Sequence, residues 1–157
     1  MTHAKNLKII GFVGLIGSGK TTAVDYLTEK DIPKVRGGDT NEFIDQINRL
    51  VEAGQHRIVT DSNYSWKVYK TLKHEFPGEL YVVALLAPRH IRHHRLQNRG
   101  EKSLTETEAN QRDWQEIEDA GYGGAIALAD YYVVNDGDLD NLRKQIDKVL
   151  DDIEFLN

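Results

Sequence analysis

The sequence predicts an α/β fold, a parallel sheet covered by helices on both faces. Three observations carry that expectation. Apolar runs alternate with stretches of helical periodicity from one end to the other. Two of the runs, Leu7–Val13 and Leu80–Ala87, are apolar at nearly every position, the pattern of strands buried on both faces. The first run also meets the first helical stretch through a glycine-rich loop. In such a fold the ligand sits at the carboxyl ends of the strands.

Element by element, Leu7–Val13 is the first strand, and Thr21–Lys30 follows as a helix with Ala23, Val24 and Leu27 at helical spacing. Lys34–Arg36 is a short strand ending at Gly37-Gly38. Asp39 and Glu42 have the spacing of a capping box, and Phe43, Ile44, Ile47, Leu50 and Val51 mark the amphipathic helix behind it. Arg57–Asp61 is a third strand ending in a carboxylate. Trp66–Phe76 is a helix closed by Pro77-Gly78, with Trp66, Tyr69 and Phe76 expected in the core. After the Leu80–Ala87 strand, helices are expected over 90–99, 106–120 and 125–129. Tyr131–Val134 is the fifth strand, and Leu139–Phe155 is a closing helix with Leu142, Ile146, Val149, Leu150 and Ile153 inward.

Composition excludes several classes of function. With 39% hydrophobic and 29% charged residues over 157 positions, the chain has the balance of one globular domain. The net charge of −5 opposes binding to nucleic acid and to anionic lipid. Without cysteine there is no disulfide framework, thiolate zinc site or thiol nucleophile. The longest uncharged stretch, Ile9–Gly19, has 11 residues and four glycines, too short and too broken to span a bilayer. Met1–Asn6 lacks the layout of a secretory signal, so a cytoplasmic location is expected.

The loop Gly14-Leu15-Ile16-Gly17-Ser18-Gly19-Lys20-Thr21 fits G-x-x-x-x-G-K-[ST]. The glycines let backbone N–H groups curl around phosphates without Cβ clashes, and the helix that follows adds the positive end of its dipole. Gly14, Gly17, Ser18, Gly19, Lys20, Thr21 and Thr22 are therefore the expected ATP-binding set. Lys20 would reach the β- and γ-phosphates, and the Thr21 hydroxyl would ligate Mg²⁺. A GTPase is disfavoured because no Asn-Lys-x-Asp motif is present.

Lys8–Lys30, the strand ending Ile58–Asp61, and Arg92–Asn135 together resemble the nucleoside-monophosphate-kinase-like P-loop proteins. The similarity is to the archaeal adenylate-kinase-related, dephospho-CoA-kinase-like subgroup. Gly121–Gly137 is similar to that subgroup's glycine-rich turn, helix end, last strand and Asn-x-Gly loop, and Arg112-Asp113 with Glu116 to its Arg-Asp-x-x-Glu stretch. The resemblance implies a single P-loop domain with a five-stranded parallel sheet, a short substrate arm over about 39–57 and a lid over about 89–112. It also implies phosphoryl transfer from ATP–Mg²⁺ to a small-molecule acceptor. Asn135 and Gly137 are then expected at the adenine pocket. Relatives commonly carry arginines where this chain has Glu42 and Tyr64, which implies acceptor recognition that is unusual or lost. Ordinary AMP, CMP and UMP are accordingly expected to be poor acceptors.

Asp61, at a strand end beside the loop, is expected to hold Mg²⁺ through water, although a helix-capping role suits it too. Asp39 is a candidate for accepting the acceptor's hydroxyl proton, with its capping position as the structural alternative. Arg89–Arg99 holds four arginines and three histidines in 11 residues, and Arg92, Arg95 and Arg99 fall on one helical face. With Arg112 they are expected to neutralise the transferring phosphoryl group; the alternatives are a solvated basic face or a nucleic-acid patch. His90 and His94 have zinc spacing but no third ligand nearby. The expected activity is that of an ATP–Mg²⁺-dependent kinase acting on a nucleotide-like or dephospho-CoA-like acceptor. A degenerate, ATP-binding regulator is the alternative.

Overall fold

Strand β1 (Lys8–Val13) is buried at five of its six positions, and the molecule is built outward from it. A computed structural model describes residues 6–156; Met1–Lys5, which carry most of the leader expectation, lie outside the described residues. Alternation along β1 sends Ile10 and Phe12 to one face and Ile9 and Val13 to the other. Each face gathers its own core. Ile10 and Phe12 meet Ala23, Val24 and Leu27 of α1 (Lys20–Thr28) and Leu142, Ile146, Val149 and Leu150 of α7 (Leu139–Asp152). Ile9 and Val13 meet Phe43 and Ile47 of α2 (Thr40–Glu52), Val68 and Leu72 of α3 (Trp66–Glu75) and Ala125 of α6 (Gly123–Ala127).

Strands β2 (Lys34–Val35), β3 (Arg57–Thr60), β4 (Leu80–Leu86) and β5 (Tyr131–Val134) complete a five-stranded sheet in the order β2-β3-β1-β4-β5. Every pairing is parallel, with Ile9 opposite both Ile58 and Leu80. The expected α/β architecture with a five-stranded parallel sheet is what the chain adopts. Helices α4 (Arg89–Gln97) and α5 (Glu106–Glu118) follow β4 and pack on one another. Among the described residues no helix is long and apolar enough to cross a membrane.

Several boundaries move for local reasons. The helix expected over 125–129 begins at Gly123 and stops at Ala127 because Asp130 is committed elsewhere. Its carboxylate accepts from Val82 N (2.7 Å) and Lys73 Nζ (2.6 Å), sewing the start of β5 to β4. The closing helix ends at Asp152, where Glu154 takes φ 54° and Phe155 turns fully inward. Trp66 is not in the core. It is 43% exposed and stacks on Tyr69 at 5.6 Å, lying against Gly124, while Phe76 is buried as expected. The edge of β5 is occupied by a side chain: the Gln145 amide donates to Val134 O (2.7 Å) and accepts from Val134 N (3.0 Å), as a neighbouring strand would.

Tyr64 is the largest fully buried side chain. Its hydroxyl bonds Thr60 Oγ1, its ring meets Phe43 edge-on at 5.4 Å, and it lies over Gly11 so closely that a Cβ there would stand 2.1 Å from Tyr64 Oη. Burial drives its phenol far above the ordinary tyrosine range. Position 64 thus faces the core, and a tyrosine there says nothing about an acceptor.

Candidate functional site

From Val13 the chain turns through Gly14–Gly19 into α1. Gly17 (φ 83°) and Gly19 (φ 99°) take left-handed conformations that L side chains resist, and a Cβ on Gly19 would stand 2.2 Å from Asn135 Nδ2. Gly19 caps α1 without a side-chain hydrogen bond, so the first-turn N–H groups have no internal partner. They open on a cleft of about 940 Å³ lined by residues 14–22.

The loop's carbonyls all have donors. Gly14 O accepts from Asn63 Nδ2 (2.9 Å), Leu15 O from Ser18 N (3.0 Å) and Ile16 O from Arg92 Nη1 (3.1 Å). Gly17 O accepts from Arg95 Nη1 (3.0 Å) and Ser18 O from Asn135 Nδ2 (2.9 Å). Asn63 also accepts from Gly14 N (2.8 Å), holding both backbone groups of one residue. With the negative ends of the peptide dipoles tied down, and only the Gly14, Ile16 and Ser18 N–H groups of the loop given acceptors among the described residues, the remaining amides form a concave positive surface, the chemistry of an anion receptor. Ser18 Oγ is buried among the described residues without a hydrogen-bond partner.

The rest of the cleft is strongly basic. Lys20, Arg36, Arg95, Arg99, Lys102 and Arg112 line it, against Asp61 and Glu116, in a chain whose net charge is −5. Asp61 is 7% exposed at the end of β3, with Lys20 Nζ at 3.3 Å, Lys34 Nζ at 3.8 Å and Arg36 Nε at 4.0 Å. Thr21 and Asp61 both line the cleft, so the expected Mg²⁺ pair shares one cavity with the loop. No group of three histidine, aspartate or glutamate side chains among the described residues could hold a metal. A cation here would lean on ligand phosphates, as Mg²⁺ commonly does.

The arginines divide. Arg95 and Arg99 reach the cleft, and burial lowers Arg95 as it bridges Gly17 O to Asn135 O (2.6 Å). Arg92, expected beside them, turns beneath the loop. It forms a bidentate pair with Asp113 (2.6 and 3.0 Å) on α5 and is 6% exposed. His93 reaches the same Asp113 (2.8 Å) and Glu106 (3.1 Å). Burial works to raise the Asp113 carboxyl, but the hydrogen bonds from Arg92 and His93 prevail and hold it below the usual range.

Asp39 and Glu42 do not line the cleft. Asp39 accepts from Glu42 N (3.0 Å) as the cap of α2, and Glu42 turns back to Gly38 N (3.2 Å). Gly137 is also outside the cleft lining, while Asn135 lies beneath the loop as a brace. Asn63, Lys102 and Glu116 line the cleft without having been assigned to it from the sequence. Glu116 Oε1 accepts from Ile16 N at 2.8 Å.

No family model matches the sequence. The chain is 28% identical to a UPF0200 protein of Sulfurisphaera tokodaii, over 92% of this chain and 96% of that one. It is 27% identical to a UPF0200 protein of Thermococcus onnurineus, over 92% and 97%. Among solved structures, shikimate kinase from Bacteroides thetaiotaomicron aligns over 94% of this chain and 98% of that one, at TM-score 0.62 and 14% identity. A gluconokinase from Sinorhizobium meliloti aligns over 96% and 94%, at TM-score 0.61 and 13% identity. At such identities the likeness is one of fold alone: the chain shares its single-domain α/β architecture with these kinases.

Proposed function

We propose that this protein is an ATP–Mg²⁺-dependent kinase that moves the γ-phosphoryl group to a small nucleotide-like or dephospho-CoA-like acceptor. The observation that carries the reading is the loop whose carbonyls are all engaged, leaving the first-turn amides of α1 and Lys20 to face an anion inside a basic cleft. In this reading Lys20 exchanges its Asp61 partner for the β- and γ-phosphates, and residues 17–22 cradle the chain of phosphates through their amides. Thr21 and, through water, Asp61 would hold Mg²⁺, which would offset phosphate charge. Arg95 keeps the loop in shape, whereas Arg99, Lys102 and Arg112 border the open side, where charge develops during in-line transfer. Arg92 and Asp39 act structurally, as brace and cap.

The acceptor expectation changes with the geometry. Tyr64 lies in the core and Glu42 turns back to Gly38 N outside the cleft lining, so neither position faces an acceptor directly. Arg36, at the cleft wall with its side chain 78% exposed, is free to reach one. A panel of nucleoside monophosphates and dephospho-CoA, assayed with ATP–Mg²⁺ for ADP release, should contain a compound that stimulates turnover. Slow hydrolysis indifferent to every acceptor would favour the regulator instead. Arg112→Ala should lower turnover by about 10²-fold while ATP affinity changes much less. A parallel fall in both would make Arg112 a ground-state contact.

A further inference from the structure

Side chains that touch the phosphate loop mostly donate to its carbonyls. Among the described residues two accept from its amides, Asn63 at Gly14 and Glu116 at Ile16, and Glu116 is the charged one. Glu116 is 6% exposed on α5, lines the cleft, and keeps Arg112 Nε 3.7 Å from Oε2. A carboxylate therefore rests on a surface otherwise shaped for phosphate. Burial raises this carboxyl above its usual range despite the Ile16 N–H and the nearby Arg112 and Arg92, with Asp113 adding to the rise, so the charged form is held at a cost.

An anion entering the loop meets Glu116 as a rival for the Ile16 N–H and as a like charge at close range in a poorly hydrated site. The two cannot share one donor. We propose that Glu116 is a latch that stands in for a phosphate oxygen in the nucleotide-free protein and yields both the Ile16 N–H and Arg112 to the terminal phosphate. This rests on the kinase reading above and adds a device to it. Entry of the phosphate breaks the contact that pins α5 to the loop, and the freed guanidinium becomes available where phosphoryl charge lies. A nucleoside diphosphate, lacking the terminal group, leaves the latch closed.

Calorimetric titration of the full chain with Mg²⁺–AMP-PNP and with Mg²⁺–ADP tests this in wild type, Glu116→Gln and Glu116→Ala. Removing the charge should tighten AMP-PNP binding about tenfold, a typical coupling between linked states, and leave ADP binding little changed. In the wild type, AMP-PNP but not ADP should speed hydrogen exchange across α5, a measurement that needs no variant. A merely structural role would weaken both ligands. Equal or weaker AMP-PNP binding in both variants, or an equal gain for ADP, would overturn the latch. Wild type that binds AMP-PNP normally would leave the kinase reading standing in that event; wild type that binds neither nucleotide would overturn both.

Discussion

Lys20→Ala should lower turnover about 10³-fold, the upper range for losing one preorganised charge stabiliser, and should weaken ATP binding at the same time. The fold should survive the change. Asp61, the partner Lys20 leaves behind, retains Lys34 at 3.8 Å and Arg36 at 4.0 Å, so its buried carboxylate is not stranded. A coupled ADP assay, nucleotide calorimetry and an unfolding curve separate the two effects. Normal affinity and normal turnover in this variant would sink the phosphate-loop assignment.

The second large effect is on stability. Asp113→Asn should cost about 3 kcal/mol, because it strands the buried Arg92 guanidinium. The loss would reach the ligand as well, since Arg92 also holds Ile16 O. Asp113 is depressed in the folded protein, so its contribution is complete above the ordinary aspartate value and disappears as pH falls through the lowered one. Wild-type stability should therefore decline below about pH 4, and the variant should lack that share of the decline. Urea midpoints measured on both sides of that value decide it; identical acid losses in the two proteins would absolve Asp113.

The features legible in the sequence were those that repeat or that backbone geometry dictates. Helical and strand periodicity located every strand and α-helix, though not the short 3-10 turn at Gly100–Lys102, and the glycine spacing located the loop, because L side chains resist φ near 90° at Gly17 and Gly19. Contacts between distant segments were not legible. Spacing put Arg92, Arg95 and Arg99 on one face, yet their partners lie in separate segments, with Arg95 bonding Gly17 O and Asn135 O and Arg99 bonding Lys102 O. Asp113, 21 positions away, draws Arg92 out of the cleft. Asn63 is a lone polar residue in a loop, and nothing periodic marks it. Tyr64 did leave a sign: Gly11 interrupts a buried strand, and a glycine there signals close approach by another group. Asp39 satisfied both of its readings in the sequence, and the one with a nearby backbone partner prevailed.

The first strand made is the central one. Its partners are Arg57, opposite Lys8, and Leu80, opposite Ile9, which lie 49 and 71 residues further along. At ordinary synthesis rates the second partner follows by roughly 4–14 s. Until the first of these partners is made, Ile9, Ile10 and Phe12 have no sheet to join, and closing such long loops makes folding slow compared with a helical bundle. The binding loop hangs from the end of this strand, and its braces are translated in the sequence Asn63, Arg92, Arg95, Glu116 and Asn135. Competence for ligand is thus among the last properties a nascent chain acquires, and it arrives only once Asn135 has cleared the ribosome.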